Sequence, residues 1–133
     1  MKIVADTNII VSGLLNPEGK PAQILNLILN QKLLLLYDNR ILSEYSDVSH
    51  RKKFKFPHYL IEPIIDFVKM DGEYIAAEPV KEKLLDKSDT KFLEVALTGE
   101  AKYLITGNTS HYPKMKLIKT PAEFIEILLK LLF

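Results

Sequence analysis

Three short runs of unbroken apolar residues, Ile3-Val4-Ala5, Leu33 to Tyr37 and Tyr103-Leu104-Ile105, constrain the fold of this chain more than any other feature. A strand with one wet face alternates apolar and polar residues. A strand that is apolar on successive residues must be covered on both sides, which is the condition of a parallel sheet flanked by helices. β-Branched Ile3 and Val4 favour strand over a helical turn. Glu73 to Ala76 and Leu117-Ile118 are further short strand candidates. Between them the apolar period changes to that of a helix. Pro21 suits a first helical position, followed by Ile24, Leu25, Leu27 and Ile28 to about Leu29. Asp38 stands where an N-cap belongs, ahead of Ile41, Leu42, Tyr45 and Val48. A helix opened by Asp86 carries Phe92, Leu93, Val95, Ala96 and Leu97 and ends near Gly99, and Pro121 starts a last one running to about Leu132. Strands alternating with helices predict an α/β fold with a mainly parallel central sheet.

One segment resists this scheme. A helix over about His58 to Met70 has Pro63 in its interior, where proline breaks or kinks. Before it runs a basic, aromatic-laced connection, His50 to Pro57. No repeat or linker divides the chain, and 133 residues are enough to bury one core, so residues 1–133 are expected to form a single domain.

In open α/β sheets, ligands bind beyond the carboxyl ends of the strands at a topological switch point. Asp6, one residue past the first strand, is at such an address; its ordinary alternative is a cap or an Asx turn. On the helix after Asp38, Glu44 falls at the edge of the apolar stripe while Asp47 turns toward solvent. A glutamate so placed commonly pairs with a lysine. Asp89 falls between Phe92 and Leu93 on the buried face of its helix, in the first turn. A carboxylate there costs several kcal/mol unless paired, hydrogen-bonded or bound to a cation. Asp86-x-x-Asp89 as a capping-box variant accounts for Asp86 better than for Asp89. All three acids lie toward one end of one sheet. Like charges about 4 Å apart repel by roughly 4 kcal/mol even at an effective dielectric of 20, so the group calls for protons or a divalent cation. Oxygen donors alone favour Mg²⁺ or Mn²⁺, and such a cluster suits hydrolysis of phosphodiesters.

A formal net charge of +1 gives no global field for nucleic acid, so a polyanion would need a local patch. The absence of cysteine excludes disulfides, thiolate zinc sites and cysteine nucleophiles. Asp6 interrupts the first apolar run too early for a signal peptide, and the apolar Phe124 to Phe133 segment is too short to span a bilayer. A cytoplasmic protein is expected.

Asp6-Thr7-Asn8 after the first strand, Glu44, Asp86-x-x-Asp89 and Tyr103-Leu104-Ile105-Thr106-Gly107-Asn108 together resemble a PIN domain over nearly the whole chain, most closely the branch of toxins from toxin–antitoxin pairs. The resemblance implies a three-layer α/β/α sandwich with about five strands, and Mg²⁺- or Mn²⁺-dependent ribonuclease activity. By position, Asp6, Glu44 and Asp89 would bind metal. Thr7 and Asn8 would orient Asp6 or the phosphate, and Thr106 would hydrogen-bond within the site. Asn108 stands where family members often have a fourth aspartate, and Ser110 where some have another, which puts a second metal in doubt. Arg51 and Lys52, with Lys53 and Lys55, would guide the RNA backbone, and Phe54 or Tyr59 could stack a base. The plain reading of that stretch is a solvated loop. His50, His58 and His111 lack metal or triad spacing and are expected at the surface.

A haloacid-dehalogenase-type phosphatase would need an acid where Asn8 stands, and a receiver domain needs adjacent acids on the first strand. A different class of reading is a catalytically depleted domain that binds RNA or protein without cutting. The apolar tail and the Leu-rich helix near Ile24 suggest a homodimer, and a toxin would require an antitoxin partner over its acidic pocket.

Overall fold

The computed structural model describes residues 1–132, with the His58 side chain also outside the described set. Five strands, β1 (Lys2–Ala5), β2 (Leu34–Tyr37), β3 (Glu73–Tyr74), β4 (Tyr103–Ile105) and β5 (Ile118–Lys119), form one sheet in the order β3-β2-β1-β4-β5. Every pairing is parallel, with Ile3 opposite Leu35 on one side and Tyr103 on the other. Among the described residues six α-helices connect and cover it: α1 (Thr7–Leu15), α2 (Lys20–Leu29), α3 (Asn39–Ser49), α4 (His58–Asp71), α5 (Thr90–Thr98) and α6 (Pro121–Leu132). This is the three-layer α/β/α sandwich expected from the unbroken apolar strands. Ile3, Val4 and Ala5 have no exposed surface at all.

The chain order explains where a site can lie. From β1 it steps outward through α1 and α2 to β2, then through α3 and α4 to β3. It then returns by α5 to β4 on the other side of β1. Right-handed crossovers in opposite directions put α5 on the opposite face from α1 to α4, and α5 packs on β1, β2 and β4. The reversal leaves a crevice beyond the carboxyl ends of β1 and β4.

Local chemistry follows the sequence closely. Asp38 caps α3, its carboxylate accepting from the Ile41 amide at 3.0 Å. Pro63 is accommodated inside α4 because it lies on the exposed face, where water can satisfy the carbonyl that loses its partner. Gly99 ends α5 as expected. Its φ is −83°, and the left-handed residue that turns the chain out of α5 is Glu100, with φ 55°. Glycine is required at 99 for space, since a Cβ there would lie 2.7 Å from Leu36 Cδ1.

Candidate active site

Asp6 and Thr106 are the first residues beyond β1 and β4, the two strands that flank the crevice. The Asp6 amide donates to the Ile105 carbonyl at 3.0 Å, which locks the two strand ends together. The Asp6 side chain is buried, the residue being 5% exposed. The fully buried Thr106 hydroxyl donates to Asp6 Oδ2 and accepts from the Asn108 amide at 3.0 Å. Asp6 Oδ1 is also buried but has no hydrogen-bond partner among the described residues. Burial pushes the carboxyl up to about 6; the Thr106 hydrogen bond and the backbone amides of Ile9 and Asn8 oppose this, and the negative charge of Asp89 adds to it.

Glu44 reaches the same place from α3. Its Oε2 accepts from the Thr7 hydroxyl and its Oε1 from Lys91 Nζ at 2.8 Å. The lysine pairing named above as the ordinary alternative is thus realised, but between side chains that are only 28% (Glu44) and 12% (Lys91) exposed.

Asp89 takes a different position from the expected one. Asp86 opens a 3₁₀ turn over Lys87–Asp89, accepting from the Ser88 amide at 2.9 Å, and Asp89 becomes the residue ahead of α5. Asp89 is therefore half-buried at the helix N-terminus, not centred on the buried stripe. Burial raises its carboxyl above the usual range, and the hydrogen bond from His111 Nδ1, at 3.1 Å, works against that.

His111 was expected at the surface, and the structure corrects this. Its Nε2 lies 2.8 Å from Asn108 Nδ2, and Asn108 Oδ1 accepts from the Ser110 hydroxyl at 2.7 Å. With the Asn108 amide donating to Nε2, the Nδ1–H donates to Asp89, so Asp89, His111, Asn108 and Ser110 form one chain. His50 likewise is partly buried, 3.0 Å from Glu62. The His58 side chain is outside the described residues.

Tyr112 escaped the sequence reading altogether. Its buried hydroxyl has no partner among the described residues. Burial raises its pKa, and the charges of Asp6, Asp89 and Glu44 raise it further. No periodic pattern marks it, because Thr109 to Pro113 is irregular. Lys91 did carry a signal: a lysine in the first turn of a helix opposes the helix dipole, so something else must hold it there.

Between α3 and the start of α5 runs a groove of about 530 Å³ lined by Arg40, Arg51, Lys87 and Lys91, with Glu44, Asp47 and Glu94 among its acids. Arg40 is fixed by Asp38 at 2.7 Å and Glu94 at 2.8 Å. Of the expected backbone-guiding residues, Arg51 lines this groove. Lys52 instead sits exposed in a 3₁₀ turn over Lys52–Phe54. Phe54 stacks on Phe56 with ring centres 5.7 Å apart, Tyr59 is exposed, and Asn8 is exposed beside the site.

Among the described residues no three histidine or acidic side chains gather closely enough to ligate one ion together. Both Glu44 oxygens are already engaged, by Thr7 and Lys91. Asp6 and Asp89 remain, and a free, buried carboxylate oxygen on Asp6 is the donor a cation needs. Two carboxylates completed by water suit Mg²⁺, which dehydrates reluctantly. In that form the residues fit a divalent ion.

Fold and pocket together define a class first: a parallel α/β protein whose acids meet beyond the carboxyl edge of the sheet. The family model of the PIN domain matches residues 2–110, and the chain belongs to that family. PIN domains are generally nucleases and typically use divalent metal ions. An uncharacterized protein of Methanocaldococcus jannaschii is 29% identical, over 95% of this chain and 90% of its own length. Among the described residues no helix is long and apolar enough to cross a membrane.

Proposed function

We propose that this protein is a Mg²⁺- or Mn²⁺-dependent endoribonuclease, acting in the cytoplasm as the toxin of a toxin–antitoxin pair. The observation that carries this reading is the buried Asp6 oxygen at the switch point of the sheet, which has no hydrogen-bond partner among the described residues and lies within the field of Asp89. Asp6 and Asp89 would hold the ion, which when bound acidifies a water and neutralises charge on the scissile phosphate. Thr106 fixes the rotamer of Asp6. His111, held by Asn108, fixes Asp89. Glu44, steadied by Thr7, pairs with Lys91 at the edge of the site. The buried Tyr112 hydroxyl has no acceptor among the described residues and can donate to a water. Arg51 and Lys87 would contact backbone phosphates along the groove, and base stacking would fall to exposed Tyr59, since Phe54 is engaged.

The partners follow from the same reading. RNA is the substrate, an antitoxin would cover the acidic pocket, and a second copy would cover the apolar face formed by Leu27, Leu128, Leu129 and Leu132 of α2 and α6. Light scattering that finds only monomer at micromolar concentration would remove the dimer.

The test is cleavage of a mixed single-stranded RNA in Mn²⁺, in EDTA and with Asp6→Asn. Metal-dependent cutting that is lost in the variant supports the assignment, whereas cutting that survives the variant comes from another enzyme. A second reading, a PIN domain that binds without cutting, is favoured by the engagement of Glu44 and Asp89 with Lys91 and His111. It predicts no Mn²⁺-dependent rise in melting temperature.

A further inference from the structure

We propose that this site is built for one divalent ion, with the Lys91 ammonium supplying the positive charge that a second ion would otherwise bring. The inference rests on the nuclease reading above and deepens it. Lys91 Nζ lies 2.8 Å from Glu44 Oε1, donates to the Ser88 carbonyl and sits 4.9 Å from the centre of the Phe92 ring. These contacts hold a largely buried cation where the dipole of α5 opposes it. An ammonium has three donors. Glu44 and Ser88 take two, which leaves one for an oxygen of a phosphate.

Charge and donor count agree. The three carboxylates less the Lys91 ammonium leave two negative charges, those matched by one divalent ion. Asn108 contributes no charge. Glu44 is satisfied by Thr7 and Lys91, whereas Asp6 retains an oxygen with no partner among the described residues. The residues that would have ligated a second ion are thus a neutral amide and a carboxylate already neutralised. Lys91 also lines the groove that contains Arg40, Arg51 and Lys87, so its charge stands where that groove meets the acids.

The experiment is calorimetric titration of the full chain with Mn²⁺ alone, using wild type, Lys91→Gln, Glu44→Gln and the double variant, each checked for folding by thermal melting. Wild type should bind one ion. Lys91→Gln should bind Mn²⁺ at least tenfold more tightly, because Glu44 loses its counter-cation. Glu44→Gln should bind it at least fivefold more weakly, and the double variant should return close to wild type. If Lys91→Gln does not fold, Lys91→Arg carries the comparison with Glu44→Gln: it should keep one ion at wild-type affinity. Two ions on wild type, or unchanged affinity in Lys91→Gln or in Glu44→Gln, would overturn the inference and leave the nuclease reading standing. No Mn²⁺ bound by any protein in the set would refute both.

Discussion

Replacing Asp6 by Asn should make the metal-free protein more stable, and the size of the gain should depend on pH. The Asp6 carboxyl is raised from 3.8 to about 6, chiefly by burial. At about 1.4 kcal/mol per unit, an ionised Asp6 costs the fold about 3 kcal/mol at neutral pH. Because the folded pKa is the higher one, the native state holds its proton more tightly than the unfolded chain. The stabilisation from that proton is fully present below about pH 4 and is lost as pH rises through about 6. Asparagine keeps an acceptor for the Thr106 hydroxyl but sets an amide where Oδ1 has no partner, which returns about 1–2 kcal/mol of the gain. The expected net at pH 7.5 in EDTA is about 1–2 kcal/mol in favour of Asp6→Asn, roughly 3–6 °C in melting temperature for a domain of this size. Carboxylates remote from Asp6 titrate alike in both proteins and cancel, while Asp89, which repels the Asp6 charge, is eased in the variant and adds to the gain. The assay is therefore paired thermal melts from pH 4 to 8, in EDTA and in Mn²⁺. The gap should shrink as pH falls through 6 and reverse sign by pH 4, where only the cost of the unpartnered amide, about 1 kcal/mol, remains; in Mn²⁺ at a hundredfold excess over its Kd wild type alone should gain about 2.7 kcal/mol. A variant less stable than wild type at pH 7.5 in EDTA would refute the reasoning, as would a gap indifferent to pH.

Two adjacent residues at the end of α5 should respond in opposite directions. Gly99→Ala should destabilise by about 1–3 kcal/mol through overpacking against Leu36 and Ile75, whereas Glu100→Gly should stabilise by about 1 kcal/mol by relieving a left-handed backbone; urea melts decide both. Arg40→Ala leaves the buried carboxylates of Asp38 and Glu94 without their guanidinium and should cost about 2 kcal/mol, with Arg40→Lys recovering only part because a single ammonium cannot bridge both. Arg51→Ala and Lys87→Ala should each weaken binding of single-stranded RNA and reduce its logarithmic salt slope by about 0.7, measured by anisotropy from 50 to 300 mM salt; an unchanged slope would remove that residue from the RNA path.

The amino-acid order alone determined the strands, the helices after α1 and the position of Asp6 at a strand end; α1 (Thr7–Leu15) was not legible. These features rest on contacts within a few residues: periodicity, the cap at Asp38, and β-branching in Ile3-Val4. The wheel placed Glu44 correctly at the margin of its stripe. It misplaced Asp89, because a 3₁₀ turn opened by Asp86 delays α5 until Thr90 and leaves Asp89 ahead of the helix. What surrounds each acid was decided by tertiary structure. Thr106 is 100 residues from Asp6, Lys91 lies 47 positions beyond Glu44, and His111 is 22 beyond Asp89. None of these pairs has a signature in local sequence, because they meet only once β4 has inserted beside β1 and α5 has crossed to the opposite face. The chain carries the acids in its sequence; the sheet order chooses their partners, and with them the charge of the pocket.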